Sequence, residues 1–228
     1  MLMDAVTDVD LGRSEVVTAG GRTHFDYLIV ATGARHAYFG HDDWESVAPG
    51  LKKIDEATAI RRRLLLAFEK AEAMVDNSRR RQLLTFAVIG GGPTGVEMAV
   101  AIAELARKSL VRDFRNIDPS SARIVLIEAG PRILPTFPEP LSKSAEAQLR
   151  KLGVEVLTGD PVVQCDANGI SLKSGKAIET ATIMWGAGVM ASPAAKWLKT
   201  GADRAGRIIA GSDLKLPGRD NVFVIGDT

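Results

Sequence analysis

The run Val88-Ile89-Gly90-Gly91-Gly92-Pro93-Thr94-Gly95-Val96-Glu97 constrains this chain more than any other stretch. An apolar segment, Leu83 to Ile89, enters it and a small-residue segment, Thr94 to Arg107, leaves it. The pattern predicts a strand, a tight glycine turn and a helix. Gly90 permits the turn, Gly92 lets a ligand approach the backbone with no Cβ in the way, and Gly95 lets helix and strand pack closely. The start of such a helix carries unpaired N–H groups and a partial positive charge, the combination that receives phosphate. Glu128 ends the next apolar run, Ile124 to Ile127, where a carboxylate accepts ribose hydroxyls. Gly90, Gly91, Gly92, Pro93, Thr94, Gly95 and Glu128 therefore predict a dinucleotide site.

The fold expected around that site is α/β, a Rossmann-like parallel sheet with a small antiparallel β excursion, plus remnants of a second such domain. A chain of 228 residues with 46% hydrophobic content has enough apolar material for one large or two modest domains. A net charge of +1 gives no reason to expect nucleic acid as a partner. The clusters Arg61 to Arg63 and Arg79 to Arg81 are either solvated faces or an anionic docking patch. With Cys165 the sole cysteine, neither an intrachain disulfide nor a cysteine-built metal site is available. The three histidines, His24, His36 and His41, have no metal-ligand spacing, so no metal is expected. Cys165 reads as a small buried apolar residue, and Trp44, Trp185 and Trp197 as packing residues. No apolar stretch is long enough to span a bilayer and no signal peptide precedes Asp4, which points to a cytoplasmic location.

Short strands are expected at Ala5 to Val9, Glu15 to Thr18 and Tyr27 to Ala31, the last covered on both faces because Leu28 to Ala31 lacks polar alternation. A helix from Asp55 follows from Ile60, Leu64, Phe68 and Ala71, and it should fade around Asp76-Asn77-Ser78. Another follows Pro140, with Leu141, Ala145, Leu149 and Leu152 on one stripe and Gly153 as terminator. Strands return at Pro161 to Cys165, Gly169 to Leu172 and Ile178 to Trp185. The stretch ending Ala31-Thr32-Gly33 is weakly similar to the one ending Gly186-Ala187-Gly188, which predicts two related lobes. Nothing before Ala5 supplies a glycine loop to the first lobe, and Val222 to Thr228 stops directly after an apolar strand. The expectation is an internal piece of a longer polypeptide.

Glu128 favours NAD(H), since its charge would repel a 2′-phosphate. The wide spacing from Gly95 to Glu128 is assigned to a helix extension and loop over Lys108 to Ser121. Arg132 either receives a 2′-phosphate, meets the pyrophosphate or caps its own loop. Glu97, one turn into the helix, is either a helix-dipole carboxylate or the group that orients the nicotinamide.

Three stretches, Ala67-Phe68-Glu69-Lys70-Ala71-Glu72, the loop Gly90 to Glu97, and Glu128-Ala129-Gly130-Pro131-Arg132-Ile133-Leu134-Pro135, together resemble the type II, non-proton-pumping NADH:quinone dehydrogenases. These belong to the FAD-dependent pyridine nucleotide-disulfide oxidoreductases, with the FAD/NAD(P)-binding fold. Tyr27 to Ala34 and Val222 to Asp227 are similar to the flavin-contacting strands of that family. The resemblance implies residues 37–189 as an NADH-binding domain with a helical linker at 55–77. Residues 1–36 and 190–228 would be a partial, discontinuous FAD-binding domain. It implies NAD(H) contacts at Gly90 to Gly95, Glu97, Glu128, Ala129, Arg132, Ala187 and Gly188, with Glu97 placing the nicotinamide. In the full-length protein it implies FAD contacts at Ala31, Thr32, Gly33, Gly226 and Asp227. The expected partners are NADH and a quinone, the latter reached, like the membrane, through parts outside this chain. The full-length protein would be peripheral on the cytoplasmic face of the inner membrane, and a homodimer is compatible with it. The piece itself is expected to hold NAD(H) weakly and to be inactive. Two alternatives stay open: a stand-alone NAD-binding or sensing module, and a flavin reductase with a disulfide, ferredoxin or nitrite acceptor.

Overall fold

The structure, a computed structural model, describes residues 2–228. Strands β1 (Val6–Asp10), β2 (Glu15–Thr18), β3 (Gly21–His24), β4 (Leu28–Val30) and β5 (Ala34–His36) come first. Helices α1 (Ile54–Ala73) and α2 (Asn77–Leu83) precede β6 (Thr85–Ile89), α3 (Pro93–Glu104), β7 (Arg123–Glu128), α4 (Glu139–Lys151) and β8 (Val154–Thr158). Then follow β9 (Val162–Asp166), β10 (Gly169–Leu172), β11 (Ala177–Glu179), β12 (Thr182–Trp185), β13 (Val189–Ala191), α5 (Ala194–Trp197) and β14 (Val222–Val224). The chain divides into two compact units, Tyr38–Gly188 and the residues up to Ala37 with Val189–Thr228.

The larger unit is built on a parallel sheet in the order β12-β6-β7-β8. β6 and the centre of β7 are unbroken apolar runs because both of their faces are covered. Phe86 and Val88 point into a core shared with α1, α3 and α4. Ala87 and Ile89 point the other way, toward the antiparallel sheet β11-β10-β9 and the segment from Tyr38 to Ala48. Cys165 is buried in that second core, and burial, with the nearby charges of Asp166 and Asp43, pushes its thiol pKa up to about 12.

The helix expected as a linker over 55–77 is instead part of this core. α1 ends at Ala73 and buries Ile60, Leu64, Ala67, Phe68 and Ala71, with the Phe68 ring 5.1 Å from that of Phe86. Each of its large apolar side chains contributes on the order of 1.5–3 kcal/mol by burial. Asp76-Asn77-Ser78, read as a stop, is also a start. The Asp76 carboxylate accepts from the Ser78 and Arg79 amides, at 2.7 and 3.4 Å, and so caps α2. This second helix moves the beginning of β6 from Leu83 to Thr85. Asp76→Ala is expected to cost about 1 kcal/mol. The measurement is a lowered urea midpoint with an unchanged slope.

Other departures have equally local causes. α3 runs on through a wide π-type turn, Leu105–Ser109, and a short turn at Pro119–Ser121 completes the long approach to β7. β8, a strand not anticipated, alternates buried and half-buried positions at the sheet edge. The run Ile178 to Trp185 splits at Thr180, whose buried hydroxyl donates to the Thr85 carbonyl. β11 then pairs antiparallel with β10, and β12 parallel with β6. On α4, Leu149 is buried but Leu141 is 55% exposed, so the apolar stripe does not reach the first turn. Gly153 ends the helix at φ +76°.

In the smaller unit β1-β2-β3 is an antiparallel sheet, β4 pairs parallel with β14, and β5 antiparallel with β13. Its core holds Val9, Val30, Leu198, Val222 and Val224. That core lies on one side of β4 only. Val30 is buried while Ile29 is 63% exposed, so the expectation of two covered faces for Leu28 to Ala31 is corrected. In both units a three-stranded antiparallel sheet is followed directly by a strand in parallel pairing. Among the described residues no helix is long and apolar enough to cross a membrane, and no cluster of metal-ligating side chains forms.

Candidate functional site

The strand order places the carboxyl ends of β12, β6, β7 and β8 side by side, and the glycine turn leaves β6 at that edge. Gly90 has φ +107°, and a Cβ there would lie 2.4 Å from the backbone of Ala187. Its amide donates to the Ile127 carbonyl at 2.7 Å, while the Gly186 amide donates to the Ile89 carbonyl at 2.7 Å. Gly95 is tighter still, since a Cβ would sit 1.8 Å from the Gly90 carbonyl oxygen. A Cβ on Gly91 would strike the Glu128 side chain at 2.8 Å. Gly92 differs from all three: a Cβ there would meet nothing within 4 Å. One glycine of the turn therefore faces open space, and the others are required by packing.

α3 begins immediately beyond, with Pro93 in its first turn and no side-chain cap from Gly92. The amides of Thr94 and Gly95 lie ahead of the helical hydrogen-bond ladder, which opens with Val96 donating to Gly92 at 3.0 Å. Unpaired amides at the positive end of a helix are the kind of donors that receive an anion.

Both carboxylate oxygens of Glu128 are engaged. Gly91 N–H donates to Oε2 at 2.6 Å and Gly130 N–H to Oε1 at 2.7 Å, so Glu128 ties the glycine turn to the loop after β7. Ala129, in that loop, is exposed. Arg132 spends its guanidinium on the carbonyls of Leu134, Pro135 and Phe137, at 3.1, 2.7 and 2.9 Å. Of the roles open to it from sequence, holding its own loop is the one with a visible geometry. Glu97 is exposed and has no hydrogen-bond partner among the described residues.

A cavity of about 420 Å³ opens beside the turn, bordered by Gly90, Glu128, Ala129 and Ala187. Its wall is aromatic, a feature the sequence reading passed over. The rings of Tyr38 and Trp185 are 4.9 Å apart, those of Trp44 and Trp185 5.8 Å, and His41 stacks on Trp44 at 4.2 Å. Trp44 and Trp185 are buried as expected of packing residues, yet each also lines the cavity. The Tyr38 hydroxyl donates to the Ala48 carbonyl at 2.9 Å, and burial pushes its pKa up to about 12, so it stays protonated. Gly188, at φ +155°, lies beneath the Phe39 ring.

In the smaller unit the ends of β4 and β14 bring Thr32 and Gly33 next to residues 226–228. Gly33 N–H donates to Thr228 Oγ1 at 2.9 Å, and Thr32 Oγ1 lies 2.5 Å from Ser192 Oγ. Gly33 and Gly226 both have positive φ with open space where a Cβ would stand. Ala31 and Asp227 are exposed. Ser192 and Thr228 were not singled out from the sequence, where an isolated hydroxyl carries no periodic signal.

The family model for pyridine nucleotide-disulphide oxidoreductases matches residues 1–228. The type II NADH:quinone oxidoreductase Ndh of Mycobacterium tuberculosis is 46% identical, over 100% of this chain and 52% of its own length. The mitochondrial external alternative NAD(P)H-ubiquinone oxidoreductase B2 of Arabidopsis thaliana is 31% identical over 89% of this chain and 36% of its own. Among solved structures, NDH2 from Plasmodium falciparum in complex with NADH superposes with a TM-score of 0.88 at 27% identity, covering 99% of this chain and 49% of that one. The chain thus spans about half the length of the first of these relatives and of the solved structure. With the parallel sheet, its antiparallel excursion and the glycine turn all matched, the chain belongs to the pyridine nucleotide-disulphide oxidoreductase family.

Proposed function

We propose that residues 38–188 dock NADH for an FAD-dependent NADH:quinone oxidoreductase, and that residues 2–37 with 189–228 form part of its FAD-binding domain. The observation that carries this reading is the open side of Gly92 beside the first amides of α3. The room left at Gly92, where a Cβ would meet nothing within 4 Å, supports the approach of a pyrophosphate to these amides.

Glu128 supports NADH over NADPH, because a second phosphate on the ribose would meet a carboxylate, and Arg132 is already committed to loop carbonyls. Ala129, Ala187 and Gly188 border the bound dinucleotide, and Glu97, exposed and unpartnered, orients its nicotinamide end. The open backbone at Gly33 and Gly226, with the exposed carboxylate of Asp227, fits a contact with the polar chain of a flavin. FAD, when bound, supplies the hydride acceptor and the electron carrier. The quinone is supported by the names of the relatives from M. tuberculosis and A. thaliana.

In a protein of the relatives' full length, quinone-dependent kcat/KM is expected to be at least about tenfold higher with NADH than with NADPH. Glu128→Gln should narrow that preference. Equal use of NADPH, or no oxidation with any quinone, would sink the reading.

A further inference from the structure

The basic clusters that dinucleotide docking leaves unused meet at a second cavity. It has a volume of about 500 Å³ and lies within the larger unit, between α1, α2 and the start of β12. The glycine turn is at the other end of the sheet, since Thr182 opens β12 and Trp185 closes it. The size is within the range of small-molecule sites.

One face of α1 supplies Arg63, Leu66, Ala67 and Lys70, at the spacing that aligns residues along a helix, Met74 follows just past its end, and Arg79 reaches in from α2. Three cations therefore surround an apolar floor, and no carboxylate lines the cavity among the described residues. Of the acids close by in sequence, Glu69 and Glu179 are exposed and do not line the cavity, and three others are held by backbone amides. Asp76 accepts from Ser78 and Arg79, Glu72 from Arg115, Asn116 and Ile117, and Asp166 from Asn168 and Gly169. Arg63 donates to the carbonyls of Ser46 and Val47, and Arg79 to the side-chain oxygen of Gln82. These partners are neutral, and no ion pair of Arg63 or Arg79 is seen among the described residues.

We propose that this cavity binds a small amphiphilic anion: a carboxylate or phosphate head between Lys70 and Arg79, and a short hydrocarbon body over Leu66, Ala67 and Leu83. A bare phosphate would leave the apolar floor wet. A neutral alcohol would gain nothing from the cations. The chemistry of the lining asks for both parts in one molecule.

The test is a titration of the isotope-labelled chain with octanoate, octyl phosphate, octanol and inorganic phosphate, followed by backbone amide shifts. Saturable shifts confined to residues such as Ala67, Lys70, Ala181 and Thr182 are expected with octanoate or octyl phosphate, and the tighter of the two identifies the head group. Octanol and inorganic phosphate should bind at least about tenfold more weakly, and K70A/R79A should weaken the amphiphile by a similar factor. R61A/R62A, which removes charge outside the cavity, should leave it unchanged. Octanol or inorganic phosphate binding as tightly as the amphiphiles would overturn the proposal. So would equal loss in R61A/R62A, or no saturable shift with either amphiphile. Unchanged NADH binding by K70A/R79A shows that this variant is folded.

Discussion

Gly95→Ala is expected to destabilise the larger unit by about 3 kcal/mol or more, the upper end of what overpacking costs. The added methyl would stand 1.8 Å from the Gly90 carbonyl oxygen and 3.0 Å from its carbon. These are backbone atoms and cannot rotate aside. Gly90 is itself pinned at φ +107° between the Ile127 carbonyl and Ala187, so relief would require moving β6, α3 and the end of β12 together. The measurement is a denaturant melt of the chain, in which the midpoint falls steeply. A midpoint within about 1 kcal/mol of the parent would mean that helix and strand are not in the close contact described.

Gly92→Ala should behave in the opposite way. Gly92 adopts φ −73°, ψ 179°, which any residue tolerates, and its would-be Cβ meets nothing within 4 Å. The exchange should move stability by less than about 1 kcal/mol. It should nevertheless weaken NADH binding at least about tenfold, because the methyl occupies the space through which the pyrophosphate approaches the amides of α3. The two substitutions, three residues apart in one turn, thus separate a glycine kept for packing from a glycine kept for a ligand.

How far the sequence announces this structure depends on the kind of constraint. The strand, glycine turn and helix, and the placement of Glu128 at the end of an apolar strand, are legible because they rest on local properties, whereas the tie that Glu128 makes between Gly91 and Gly130 is not. The helix from Ile54 is legible as a helix, yet the 3.6-residue pattern of Ile60, Leu64 and Phe68 says only that a face is buried, not against what. Hence a core helix reads as a linker. The run Leu28 to Ala31 fails for a similar reason, since continuous apolarity does not reveal that only one face finds a partner. The aromatic cavity is the least legible part. Tyr38, His41 and Trp44 have no shared period, and only the tertiary fold brings them to Trp185 at the far end of the unit's sequence. Trp44 and Trp185 are packing residues as read, and their second role, lining a cavity beside the turn, is visible only in three dimensions.

NADH received on the open side of the glycine turn would lie near Trp44 and Trp185, which line the cavity beside the turn. NADH absorbs where tryptophan emits, so the direct measurement is a titration of the chain with NADH, following tryptophan emission and sensitised NADH fluorescence. Saturable quenching with matching sensitised emission is expected, weakened at least about tenfold in Gly92→Ala while the melt of that variant is unchanged. Absence of saturable quenching, or equal quenching in the parent and in Gly92→Ala, would contradict NADH docking at the turn.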